Sequence, residues 1–121
     1  KIEIQTGKIL SAEKIPDTDK LLKLTVDFAE QTEILAEDGT KSLISKPRQI
    51  ISGISSYFPD PQVLVGKICM FVTNLEPRII KGYESNGMLF ALSTKPTPAN
   101  PEGIFSLLEP NSNIPAGIKA K

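Results

Sequence analysis

The 121-residue chain is 40% hydrophobic and balances 14 basic against 14 acidic residues, which suits one domain with a single core at zero formal net charge. It has no histidine and one cysteine, so the commonest general base, an internal disulfide and a cysteine–histidine zinc cage are all excluded. No apolar run approaches the about 20 residues that cross a bilayer. No phosphate-binding glycine motif of the G-x-x-x-x-G-K-[ST] or G-x-G-x-x-G type occurs either. The expectation is a non-catalytic, cytoplasmic binding protein without cofactor or metal.

Ile2 and Ile4 alternate with Glu3 and Gln5, which opens a first strand and leaves no visible signal peptide; Ile9 and Leu10 continue it. Gly7 permits a bulge or bend in that strand. Pro16 to Lys20 reads as an aspartate-rich turn. Leu22, Leu24, Val26 and Phe28 alternate with Lys23, Thr25 and Asp27, as in a half-buried strand. Asp38-Gly39 is a turn signal between Glu33-Ile34-Leu35 and Ser42-Leu43-Ile44, so 31–47 reads as a small hairpin.

Ile50 to Ile54 is a third core strand, and Ser55 to Leu64 holds one or two short helical turns around Pro59 and Pro61. Tyr57 and Phe58 are expected to pack this segment on the core. Lys67 to Val72 is apolar on both faces and should be the most buried strand, with Cys69 a structural thiol. Met88 to Leu92 supplies a fifth strand. Five strands with a short helix between the third and fourth form the all-β OB-fold pattern, a Greek-key barrel that binds oligonucleotides on its face and loops. The barrel is expected over about 1–93 of a single domain, 1–121. In the extension, 94–121, a three-proline linker over 95–103 precedes the apolar patch Ile104, Phe105, Leu107 and Leu108.

Charge is unevenly spread. Residues 1–40 hold five lysines against nine acids, whereas 41–90 hold six cations against three acids. A local positive field suffices for an RNA contact, because screening confines such contacts to about 8–10 Å. The run Asn74 to Leu92, N-L-E-P-R-I-I-K-G-Y-E-S-N-G-M-L-F-A-L, lies in the positive half. Pro77 breaks any ladder there, Arg78 and Lys81 place cations on the connection, and Ser85-Asn86-Gly87 makes a polar turn.

The blocks P-D-x-D-K-L (from Pro16), R-Q-I-x-S-G (from Arg48) and N-L-x-P-R-x-x-x-G-x-E-S-x-G-M (from Asn74) occur in this order. Together they resemble the tRNA-binding domain at the C-terminus of many methionyl-tRNA synthetases. The same domain occurs in free-standing structure-specific tRNA-binding proteins and in endothelial monocyte-activating polypeptide. The resemblance covers roughly Ile2 to Leu92 and implies tRNA as partner. It also implies a homodimer built through the C-terminal region, and attachment to a synthetase catalytic domain; a chain that opens at Lys1 fits a domain cut from a longer polypeptide and equally a trimmed free-standing protein.

On this resemblance, Arg48 is a candidate grip on a backbone phosphate and Ser52, beside Gly53, a donor to phosphate or 2′-OH. Asn74, Arg78 and Lys81 form a basic elbow. Ser85 and Met88 complete the RNA surface, and Lys20 and Lys23 add secondary electrostatic contacts from the other flank. Glu76 and Ile79 depart from the family, which often has basic residues there. The alternatives are a free-standing dimeric tRNA-binding protein, or a related dimeric secretion chaperone that binds unfolded polypeptide.

Overall fold

The computed structural model describes residues 2–101 and 103–121. All regular pairing is antiparallel. The strands are β1 (Ile4–Lys14), β2 (Leu22–Asp27), β3 (Gln31–Leu35), β4 (Lys41–Ser45), β5 (Arg48–Ser52), β6 (Ile68–Val72), β7 (Arg78–Ile80), β8 (Tyr83–Ser85), β9 (Met88–Leu89), β10 (Ala91–Ser93) and β11 (Phe105–Leu107).

The main sheet runs β5-β2-β1-β6-β9. β1 is long enough to serve both halves. Its first half pairs with β6, from Ile4↔Val72 to Lys8↔Ile68. Its second half pairs with β2, from Lys8↔Asp27 to Lys14↔Leu22. The register slips between Ile9 and Ser11, so the bulge lies at Leu10 rather than at Gly7. Gly7 has a different role: an added Cβ would stand 2.6 Å from the side chains of Val26 and Phe28, so only glycine lets those residues close over the strand. The sheet curls until the Asn86 N–H donates to Gln49 O at 2.8 Å, bringing the β9 edge to β5. Counting β1, β2, β5, β6 and β9 as the core strands, this is the expected OB-like barrel.

The alternation in β2 sends Leu22, Leu24 and Val26 fully inward. They meet Ile9, Ile50, Leu64, Cys69 and Phe71, which are equally enclosed. Phe28 and Phe71 meet edge-to-face at 5.3 Å. Burial pushes the Cys69 thiol up to about 11, with Glu109 adding to the rise, so it stays protonated and inert at neutral pH. Between β5 and β6 stand two 3-10 turns, Ser55–Tyr57 and Pro61–Leu64. The second begins at Asp60, whose side chain accepts from Gln62 N at 3.1 Å, followed by Pro61 at the first helical position.

Met88 to Leu92 does not run as one strand. β9 ends at Leu89, the Phe90 N–H bonds Met70 O, and β10 leaves the barrel to pair with β11 (Ala91↔Leu107, Ser93↔Phe105). That ribbon divides the apolar C-terminal patch. Phe105 and Leu107 pack on the protein's own core, with Phe105 stacked on Tyr57 at 4.4 Å and edge-on to Phe58 at 5.9 Å. Leu92 and Ile104 share the opposite, outward face. The tail then returns to β1, where Gly117 N donates to Thr6 O and Thr6 N to Ile118 O. The buried Thr6 hydroxyl donates to Pro115 O and accepts from Ile118 N, so the tail is sewn to the barrel.

Candidate nucleic-acid interface

The excursion between β6 and β9 carries most of the sequence candidates. It leaves the barrel at Thr73 and returns at Asn86. Asn74 opens it, and its Oδ1 accepts from Glu3 N at 2.8 Å while Thr73 N donates to Glu3 O. After Pro77 the chain forms the β7–β8 hairpin, Arg78↔Ser85 to Ile80↔Tyr83, closed by Lys81 and Gly82 at φ 52 and 84. Two successive positive φ values in a two-residue loop match the right-handed strand twist, and Gly82 takes the second at no steric cost. Lys81 therefore stands at the hairpin tip.

The hairpin is docked on β5. Ser85 is buried; its hydroxyl accepts from Ile51 N and donates to Gly87 O, both at 3.0 Å. Gln49 Nε2 donates to Glu84 O at 2.9 Å. Gly87 sits at φ 139, with an added Cβ only 3.1 Å from Val72 O, so a side chain there would disturb the return to β9. Ser85 is thus committed to holding the hairpin rather than to presenting a hydroxyl.

Arg78 is exposed, and it lines a narrow cleft with Leu75, Glu76, Ile80, Gly87 and Met88 over Ile51. Met88 is 47% exposed, so it is a surface group and not core filling. Beyond the hairpin tip, Ile80 and Lys81 face Asp17 to Leu21 across an open groove of ≈ 380 Å³, which places exposed Lys20 beside Lys81. Ser52, half-buried at the end of β5, pairs with Leu22. Lys20 and Lys23 were expected on the other flank, but the docked hairpin brings its tip and Tyr83 to them: Lys23 Nζ stands 3.5 Å from Glu13 and 5.7 Å from the centre of the Tyr83 ring. Gly53 meets no close neighbour and has no positive φ, so neither crowding nor backbone conformation requires a glycine there. Among the described residues, no ion pair engages Arg78, Lys81 or Glu76.

Arg48 stands apart from these groups. Its Nε and Nη2 donate to the two Glu30 carboxylate oxygens, each at 2.7 Å. Nη1 donates to Thr73 O at 2.7 Å and reaches Asn86 O at 3.4 Å. The guanidinium lies 5.2 Å from the centre of the Phe28 ring, and the side chain is only 18% exposed. The bidentate bond to Arg48 holds the Glu30 carboxyl below the usual range and raises Arg48 in turn. Arg48 therefore spends its donors on the protein. Glu30 was not among the sequence candidates, because an acid 18 residues upstream, across the β3–β4 hairpin, meets Arg48 only once β2 and β5 pair. Tyr83 and Gln49 were likewise found only through the docking of β7–β8.

The arrangement offers exposed cations, a thioether and a half-buried hydroxyl along one flank, with no metal-holding cluster among the described residues. A family profile described as a putative tRNA binding domain matches residues 4–119. The chain belongs to that family. A methionine–tRNA ligase of Methanospirillum hungatei is 40% identical over 121 residues, covering 100% of this chain and 14% of the relative, so the chain spans a small part of that protein. A MetRS-related protein from Pyrococcus horikoshii has a similar structure at 32% identity and TM-score 0.75, covering 99% of this chain and 90% of that one. A chaperone CsaA from Bacillus anthracis, at 23% identity, TM-score 0.66 and coverage of 99% and 90%, shares the fold.

Proposed function

We propose that this domain is a non-catalytic, structure-specific tRNA-binding module, acting in the cytoplasm as the C-terminal tRNA-binding and dimerisation domain of a methionine–tRNA ligase. The carrying observation is the docked β7–β8 hairpin, which holds Arg78 and Lys81 exposed, without an ion pair among the described residues, near Met88 and Lys20. A-form RNA displays 2′-hydroxyls in a shallow minor groove and hides base edges in a deep major groove. A rigid flank with few base-reading groups suits the shape of a folded RNA. Tethering to a catalytic domain raises effective concentration without new contacts. The outward apolar pair Leu92 and Ile104, next to exposed Phe90, supports self-association. A second reading, a free-standing tRNA-binding protein, is favoured by the 90% coverage of the Pyrococcus chain.

The test is a tRNA titration at several salt concentrations, run beside sedimentation at micromolar protein. If three to five phosphates are neutralised, the log–log slope is about −2 to −5, at roughly 0.7–0.9 per contact. Arg78→Ala and Lys81→Ala each weaken binding without unfolding the domain. A flat salt response, or equal binding to unstructured RNA, defeats structure-specific recognition. Preference for unfolded polypeptide over tRNA supports the chaperone alternative, and a 13.2-kDa monomer defeats the dimer.

A further inference from the structure

The 74–85 excursion leaves and rejoins the barrel at two carbonyl groups, Thr73 O and Asn86 O, and one Arg48 nitrogen addresses both. Thr73 is buried, as is the Ser85 that precedes Asn86, so these carbonyls mark the neck of the loop that presents Arg78 and Lys81. Thr73 O lies 2.7 Å from Nη1, a charge-assisted distance. The other side of the guanidinium is fixed by both Glu30 oxygens, which sets the plane of the fork and aims Nη1 at the neck. Glu30 is in turn anchored at the foot of the β3–β4 hairpin, where its carbonyl accepts from Lys46 N at 2.9 Å.

We propose that Arg48 is a positioning residue for the RNA surface: it clamps the neck of the β7–β8 excursion, so that Arg78 and Lys81 are held in place before RNA arrives. This rests on the tRNA-binding reading above. A loop held in its bound shape loses less conformational freedom on binding, so the clamp acts on affinity without itself touching phosphate. Lysine at this position keeps the charge but cannot satisfy Glu30 and the neck carbonyls from one planar group.

The experiment compares Arg48→Lys and Arg48→Gln by tRNA titration at several salt concentrations and by amide hydrogen exchange. Both variants are expected to weaken tRNA binding by about tenfold at fixed salt, the scale of one lost charge-assisted bond. Their salt slope stays at the wild-type value, because the phosphate contacts are unchanged once the loop orders. Exchange at residues 78–85 speeds up, while the β1 and β2 amides keep their rates. The proposal is overturned if Arg48→Lys binds like wild type and Arg48→Gln lowers the slope by roughly 0.7–0.9, the mark of one lost phosphate contact. If the wild-type protein shows no tRNA binding, the functional reading fails and exchange alone judges the clamp: unchanged rates at 78–85 overturn it and faster ones sustain it. Should both Arg48 variants fail to fold, Glu30→Gln takes their place; it must speed exchange at 78–85, and wild-type rates there overturn the proposal.

Discussion

The β3–β4 and β7–β8 hairpins both leave the barrel beside Arg48, and both are two-stranded ribbons, yet they stand differently to the rest of the molecule. β3–β4 has five paired positions and an Asp38-Gly39 turn, with Asp38 Oδ1 accepting from Thr40 N at 2.9 Å. Every residue of its strands but Thr32 is exposed, including Ile34, Leu35, Leu43 and Ile44. β7–β8 has only three paired positions but is fastened to β5 through Gln49, Ile51 and Ser85. Length and turn chemistry decide whether a ribbon forms; polar groups aimed back at the barrel decide whether it docks. An isolated two-stranded ribbon is marginal in water, so the short hairpin owes its order to β5, whereas the long one has only its ladder and the Lys46 N–H to Glu30 O bond at its foot.

The docking of β7–β8 depends most on Ser85. Ser85→Ala removes the acceptor of the buried Ile51 N–H and the donor to Gly87 O. A buried donor left unpaired costs about 1–3 kcal/mol, so a clear fall in stability is expected in denaturant unfolding, with weaker tRNA binding as the hairpin loosens. Ser42→Ala on exposed β4 should change neither. Equal effects at the two serines would erase the distinction between a docked and an undocked ribbon.

Much of this difference could not be read along the chain. The β3–β4 hairpin was legible because Asp-Gly between two apolar runs carries its own signal. The β7–β8 hairpin was not: Lys-Gly is a weaker turn signal, and three-residue strands are too short to show a period. The barrel was legible where alternation is strict, as in β2, and at the two helical turns around the prolines. The single strand expected over Met88 to Leu92 failed because the switch at Phe90 depends on where β11 lies. The nearness of Arg78, Met88 and Lys81 followed from the sequence, since all three lie in or beside one short excursion; that of Lys20, expected on the other flank, did not, because it depends on where the hairpin tip docks. The roles of Arg48 and Ser85 were not, because a side chain that bonds remote backbone looks in sequence like one that bonds a ligand.

Glu76 offers a smaller change that sharpens the same picture from the RNA side. It lies in the Arg78 cleft, exposed, with no ion pair to either elbow cation among the described residues. Glu76→Lys removes an anion near RNA phosphates and adds a cation; each step contributes roughly 0.5–1 kcal/mol at a solvent-exposed site. Together they give about tenfold tighter tRNA binding at low salt, shrinking as ionic strength rises. Glu76→Gln should give the smaller part of that gain. Weaker binding by Glu76→Lys in a titration at fixed salt would move the RNA surface away from the cleft.

The smallest expected effect is at the outer hairpin. Leu35 and Leu43 lie on one face of β3–β4, 69% and 62% exposed, beside the Lys41–Glu33 pair at 3.7 Å. Because they bury little surface, the double change Leu35→Ser, Leu43→Ser should alter stability by no more than about 0.5 kcal/mol. tRNA binding should not change either, because Glu33, Glu37 and Asp38 give this ribbon the wrong sign for a phosphate chain. A loss of more than about 1 kcal/mol would mean that the exposed leucines are covered in solution. If that loss also fell away on dilution, the cover would be a second copy of the chain, since a self-associated form is stabilised by concentration and an intramolecular contact is not.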